Sequence, residues 1–329
     1  MKDLNNNDTI NIQKKLKEII PLSEAKKSLL KSGYLLEARL ENILQKNGYY
    51  VRSNVPYPDP KTGVTREIDL DAINAISLKP RKGDFIFLEL IIECINNDQP
   101  LAFITKEPLY MDYQDFEIKM VGLPEKLLKK RGSKNFISLP EYLGMKEYHH
   151  FFKGRIATQY CTFEKKQKGQ NKGEWRAFHY EDHHESFHKL CDALEYSMLD
   201  LQTQINLFDE DGINIQFFYN ILVVQNDLLD IRQIGTTVKI KKTNHIKFLI
   251  TDFVKGKEKN YVVDVVREGY IENFLKNLQN EMDITSLKIS KKYSMMKKEI
   301  EKKLLKEKIV KAISTFSNLI GKSTNIEQD

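Results

Sequence analysis

The sequence predicts an α/β fold in which a mixed sheet is flanked by helices. Two observations carry this expectation. An amphipathic helix over residues 34–46 is followed by three strand-like segments at 49–54, 65–75 and 84–95. A long helix at 183–207 precedes three apolar strands at 217–224, 246–254 and 261–266. Helices and strands therefore interleave along the chain, which is the pattern of a layered α/β architecture.

Each element has a local reason. Residues 1–22 read as an N-terminal arm, polar and rich in Asn and Lys before Pro21. Ser23 is placed to cap a helix whose first turn holds Glu24 and Ala25. In the next helix, Leu36, Leu40, Ile43 and Leu44 fall on one face, and Gly48 ends it. Pro56, Pro58, Pro60 and Gly63 mark the loop before the second strand; Pro80 and Gly83 mark the loop before the third. Leu101–Thr105 reads as a short strand. Residues 107–155 read as a helical stretch of poor periodicity, within an insertion spanning about 107–175. Segments 156–163 and 175–180 form a hairpin around a polar loop. In the 183–207 helix, Phe187, Leu190, Leu194 and Met198 share a face. An amphipathic helix follows at 270–282, and a last helix starts near Ser286. The expected organisation is an arm at 1–22, one domain at 23–285, and a Lys-rich amphipathic helix and tail at 286–329.

The bulk numbers exclude several classes. Hydrophobic residues at 41% and charged residues at 30% are a globular balance, so a disordered chain is not expected. The three cysteines, Cys94, Cys161 and Cys191, form no CxxC pair, which argues against a disulfide framework or a thiolate zinc site. Residues 1–17 do not resemble a secretory leader. The best apolar run, Phe85–Ile95, is short and holds two glutamates, so no membrane span is expected and a cytoplasmic location is. Net charge is +6, yet residues 288–311 alone hold ten lysines and three glutamates. The basic character thus belongs to the C-terminal segment.

Two strands carry carboxylates among apolar residues: Arg66-Glu67-Ile68-Asp69-Leu70-Asp71-Ala72, and Phe85 to Ile95 with Glu89 and Glu93. Burying a carboxylate is costly unless a cation or hydrogen bonds compensate it. Side chains alternate along a strand, so Glu67, Asp69 and Asp71 share one face, with Ile68, Leu70 and Ala72 on the other. Glu89, Ile91, Glu93 and Ile95 likewise share a face. Pairing the strands brings Asp69 beside Glu93. Two such oxygen donors suit Mg²⁺ or Mn²⁺, which would lower the pKa of a bound water and neutralise charge on a phosphate.

The stretch from Gly33 to about Thr105 resembles the PD-(D/E)XK nuclease superfamily, also called restriction-endonuclease-like. The resemblance rests on Leu36-Glu37-Ala38 in a helix, Gly48-Tyr49 into a strand, Arg66-Glu67-Ile68-Asp69, and Ile92-Glu93-Cys94. It implies a restriction-endonuclease-like mixed sheet and a metal-dependent endonuclease acting on DNA rather than RNA, in settings such as restriction or antiviral host defence. It implies Asp69 and Glu93 as metal ligands, the Cys94 carbonyl as a further ligand, and Glu37 as an auxiliary acid. Pro58-Asp59 lies in the loop before the second strand and is read as a decoy.

One position departs from the family. Its lysine stands two residues after the glutamate, where this chain has Ile95. Another lysine reaches in, with Lys106 the nearest in sequence; or metal alone activates water; or the domain is catalytically silent and binds nucleic acid or a partner protein. Asp69 and Glu93 also fit a structural ion-pair set with Arg66 or Lys106, and Glu37 a solvated helix position.

Six of the seven histidines lie between residues 149 and 188. His184-Glu185-Ser186-Phe187-His188 matches HExxH, in which two histidines one turn apart hold Zn²⁺ and the glutamate acts as base. Cys191 is three residues further on. A zinc metalloprotease is therefore a third reading, opposed by the motif's position at the helix start. A polar first turn ahead of a core stripe accounts for the same residues; His179, His183 or His184 could also contact phosphate. In the C-terminal segment, Tyr293, Met296, Ile300 and Leu304 recur at helical spacing with lysines opposite. That face suits solvent, a nucleic-acid backbone, self-association or a protein partner.

Overall fold

The computed structural model describes residues 19–310 except 33, 60–61, 81–82, 110–116, 124–125, 129–135, 168–172, 180, 205–213, 255–256, 299–301, 303–304 and 307–308. Helix α1 (Leu22–Lys31) starts after Pro21, which occupies the N-cap without a side-chain hydrogen bond. Ser23 thus lies inside the helix rather than capping it. Helix α2 (Tyr34–Lys46) follows, then strands β1 (Tyr50–Pro58), β2 (Thr65–Ser77), β3 (Phe85–Ile95) and β4 (Leu101–Lys106).

The segment expected to be helical is mostly not. It holds short strands β5 (Lys119–Val121), β6 (Lys126–Leu128) and β7 (Phe136–Ser138), one short helix α3 (Leu139–Leu143), and two 3₁₀ turns at Met145–Glu147 and His150–Phe152. Poor periodicity there reflects short elements: β5 pairs with β10 in the large sheet, whereas β6 and β7 pair with each other in a separate two-stranded sheet. The Ser138 hydroxyl caps α3, Pro140 sits in its first turn, and Gly144 ends it at φ 63°.

Strands β8 (Ile156–Lys165) and β9 (Trp175–Phe178) form the expected hairpin. Helix α4 (Glu181–Gln204) leads to β10 (Asn214–Val224), β11 (Leu228–Ile234), β12 (Thr237–Thr243), β13 (His245–Val254) and β14 (Lys257–Arg267). Helix α5 (Ile271–Lys291) runs on without a break at Ser286. Of the C-terminal stripe, Met296 is buried, Leu305 and Ile309 are exposed, and Ile300 and Leu304 lie outside the described residues.

Among the described residues, twelve strands join in one mixed sheet with the central order β1-β2-β3-β10-β14-β13-β8-β4-β11-β12. β1, β2 and β3 are antiparallel neighbours, while β3, β10 and β14 run parallel. The parallel centre explains the nearly continuous apolar runs of β3 and β10, which are buried on both faces. One face packs Leu70, Leu90, Ile92, Phe217 and Ile221 against Leu36, Leu40 and Leu44 of α2 and Phe274, Leu278 and Met282 of α5. The other packs Ile91, Ile95, Phe218, Leu222 and Val265 under Phe187, Leu190, Cys191 and Leu194 of α4. This is an α/β molecule with helices on both faces of a large mixed sheet.

Strand β2 breaks the expected alternation. Ile68 joins the α4-side core, whereas Leu70 and Ala72 join the opposite one. Asn54, whose place in the β1 ladder is opposite Asp69, takes φ 52°, a left-handed conformation that Asn tolerates better than most residues. On the other side, the β2–β3 ladder stops at Leu70↔Ile92, one step short of Asp69 and Glu93. β2 therefore leaves regular pairing at Asp69.

Candidate active site

Asp69 and Glu93 are brought together at the point where the β2–β3 ladder ends. In place of a ladder bond, the Cys94 N–H donates to Asp69 Oδ2 at 2.7 Å. The Asp69 N–H and the Ser186 hydroxyl face the Glu93 carboxylate and favour its charge. Glu93 is only 3% exposed, and its Oε1 is buried without a hydrogen-bond partner among the described residues. Burial, and then the neighbouring Asp69 charge, push Glu93 up to about 8. Burial also raises Asp69, against the opposing pull of the Cys94 N–H and Lys189.

Lys189 is the residue the sequence did not disclose. It projects from α4, and its Nζ stands 3.7 Å from Glu93 Oε2. Ser186 lies one helical turn before it, so two polar side chains of α4 address the same carboxylate. Nearby, the Tyr57 hydroxyl donates to the Lys189 carbonyl at 3.3 Å, tying α4 to β1. In the sequence, Lys189 is one polar residue beside the core stripe of Phe187, Leu190 and Leu194. No local signal separates it from an ordinary surface lysine, because its partner lies 96 positions away in sequence.

The other expected residues divide. Glu37, at the start of α2, is half-buried; burial and then the Asp69 charge raise its pKa, which places it in the field of the same cluster. Cys94 keeps its thiol protonated, since burial and then Asp69 and Glu37 raise it strongly. Lys106 does not reach the cluster. It ends β4, pairs with Ile156 and is exposed, and four strands separate β4 from β3 in the sheet order. Proximity in sequence failed because β4 crosses to the far side of the sheet. Ile95 is buried in the α4-side core, beside Tyr57 and Ile68.

A second carboxylate pair lies further along the same face. Arg52 pairs with Asp71, and the Gln216 amide donates to Glu89. Burial, and then Asp71, push Glu89 up to about 8. Asp59 is a turn element: its Oδ1 accepts from Thr62 N at 2.9 Å, and its Oδ2 pairs with Arg66 at 2.6 Å. Arg66 also binds Glu185, the would-be base of the HExxH motif, at 2.7 Å, tying it to β2.

Compared with protein-family models, curated proteins and solved structures, the chain shows no match to any of them.

Proposed function

We propose that this protein is a divalent-metal-dependent nuclease that hydrolyses phosphodiesters, with DNA as its first substrate class. The observation that carries the reading is the pairing of half-buried Asp69 with buried Glu93, with Glu93 Oε1 unpartnered among the described residues and Lys189 3.7 Å from Oε2. The donor set fits Mg²⁺ or Mn²⁺, because both are hard cations that bind one or two carboxylates and keep several waters. When bound, such a cation would lower the pKa of a water and offset charge on the phosphate.

The chain's own groups supply the remainder. The Cys94 N–H fixes Asp69, so its second oxygen is presented in one orientation. Ser186 and the Asp69 N–H favour the ionised form of Glu93, opposing the desolvation that pushes it up to about 8. The Lys189 ammonium donates to the attacking water and sets positive charge beside the oxygens that gain charge during displacement. Lys189 thus fills the role that Ile95 leaves vacant in the resemblance. Glu37 is the auxiliary carboxylate on the α2 side. The lysines of the 288–311 segment supply backbone-binding charge without sequence readout.

The test is cleavage of plasmid, linear and single-stranded DNA, and of RNA, by purified protein with Mg²⁺ or Mn²⁺. Cleavage should stop with chelator and in Asp69→Ala and Glu93→Ala. A second reading, a silent nuclease-like domain that binds nucleic acid or a partner, is favoured by the apolar setting of Ile95. A folded protein that binds DNA and cleaves nothing under any of these conditions would establish it instead.

A further inference from the structure

Two histidine clusters lie outside the acidic site, and they differ in one chemical respect. In the first, both ring nitrogens of both histidines are engaged. His149 Nδ1 accepts from the Phe151 N–H at 3.1 Å, and its Nε2 meets the Tyr219 hydroxyl at 2.8 Å. His150 Nδ1 faces Glu281 at 2.7 Å and its Nε2 faces Asp264 at 3.1 Å. The ligand atoms of His149, His150 and Glu281 lie within 4.8 Å of one another, but their lone pairs and protons are already committed. His150 is an imidazolium held between two carboxylates. That cluster is a structural clamp.

The second cluster opens to solvent at His184. On the first turns of α4, His184 Nε2 and His188 Nε2 converge to 3.1 Å, with ring centroids 4.4 Å apart and planes at 81°. His188 Nδ1 faces Asp252 Oδ2 at 3.0 Å, from β13. Asp252 is 8% exposed, and its Oδ1 accepts from the Phe253 N–H at 2.7 Å, so the carboxylate is fixed. An ionised Asp252 puts the His188 proton on Nδ1 and directs the Nε2 lone pair toward His184.

We propose that His184 and His188 form a binding site for a borderline transition-metal cation, Zn²⁺ first, with Asp252 as the carboxylate that orients His188. Two imidazole nitrogens bound at about 2.0–2.1 Å in tetrahedral geometry stand roughly 3.3 Å apart, close to the spacing found. Histidines one helical turn apart on one face are a recurrent zinc-binding pair. His184 is exposed, so the remaining coordination positions open to water.

The site is not that of a metalloprotease. Glu185 is held by Arg66, and Cys191 is a buried, protonated thiol within the core. A cation here would fasten the first turns of α4 to β13, beside Lys189 and Ser186 on the same helix. The proposal stands on its own geometry and does not depend on the nuclease reading.

The experiment uses the tag-free full chain, stripped of metal, with Zn²⁺ titrated against a chromophoric chelator and followed by thermal unfolding. One Zn²⁺ per chain is expected, with a rise in unfolding temperature. His184→Ala, an exposed change that should leave the fold intact by circular dichroism, is expected to weaken affinity by at least about tenfold. Asp252→Asn should weaken it by about 10–100-fold. His150→Gln should leave it unchanged. Zn²⁺ binding that persists in folded His184→Ala, or that disappears in His150→Gln, would overturn the assignment. So would a wild type that binds no better than the His184→Ala, His188→Ala double variant.

Discussion

At the scale of single residues, charge in this protein is governed by what stands beside each buried group. His150 is the clearest case. Burial alone would lower its pKa, but Asp264 and Glu281 together raise it to about 9. Asp264, 0% exposed, is shared with His245 Nε2 at 2.8 Å and is held well below the usual carboxylate range. A folded-state pKa above the unfolded value contributes stability below about 6.5, which is lost as pH rises through about 9. Lys247 lies against the same loop, donating to the His150, Phe151 and Lys153 carbonyls, and burial lowers its pKa to about 8, so its own pH dependence runs the other way. The difference between wild type and His150→Gln isolates the histidine. The gap in unfolding temperature should be largest below about pH 6.5 and should close as pH passes about 9. A gap that is flat with pH would mean that His150 acts only by packing. His149 works oppositely: its burial disfavours the charged form, so it stays neutral.

At the scale of elements, α4 and the kink in β2 decide where the chemistry sits. Phe187 is 1% exposed and lies edge-on to Phe103 at 6.4 Å and beside Phe248 at 4.8 Å. Truncation by Phe187→Ala should cost about 3–5 kcal/mol in denaturant unfolding. It should also reduce any cleavage, because the helix that carries Lys189 loses its anchor. Asn54 makes a sharper test of the kink. Asn54→Gly should be nearly neutral, since glycine adopts positive φ freely. Asn54→Val should cost about 1–3 kcal/mol, because a β-branched residue resists φ 52°. If valine is tolerated as well as glycine, the left-handed turn opposite Asp69 is not maintained in solution. The edge hairpin of β11 and β12 turns at Gly235 with φ 59° and alternates Val238-Lys239-Ile240-Lys241 along β12. Its strand β12 is exposed along nearly its whole length, so no apolar face announces it.

At the scale of the whole molecule, the legible part was what neighbours in sequence determine. The amphipathic α2, the acidic β2 and β3, the α4 stripe and the apolar β10, β13 and β14 follow from local patterning. What could not be read is long-range. Sheet order carried Lys106 away from Glu93, and helix docking brought Lys189 to it. Residues 107–155 defeated periodicity because the elements there are three to five residues long. The C-terminal lysines show the same limit. Lys288 Nζ packs over the Tyr148 ring at 4.7 Å and Lys292 Nζ over the Tyr142 ring at 3.8 Å, so part of that basic face docks α5 onto the body. Lys306 is exposed. If that segment contacts nucleic acid, Lys306→Gln should make log affinity less steep in log salt, by about 0.9 per lost phosphate contact. An unchanged slope would remove it from the interface. Among the described residues, no helix is long and apolar enough to cross a membrane.

The central claim is that Asp69, Glu93 and Lys189 act together on a phosphodiester. The most direct measurement is the Mn²⁺-supported cleavage rate of wild type, Lys189→Met and Lys106→Ala on one DNA substrate, each shown folded by its unfolding temperature. Lys189→Met should lose about 10²–10³-fold in kcat, as expected for removal of a positioned donor that offsets developing charge, while Lys106→Ala cleaves like wild type. A Lys189→Met protein as active as wild type, or a folded wild type that cleaves nothing, would contradict the account.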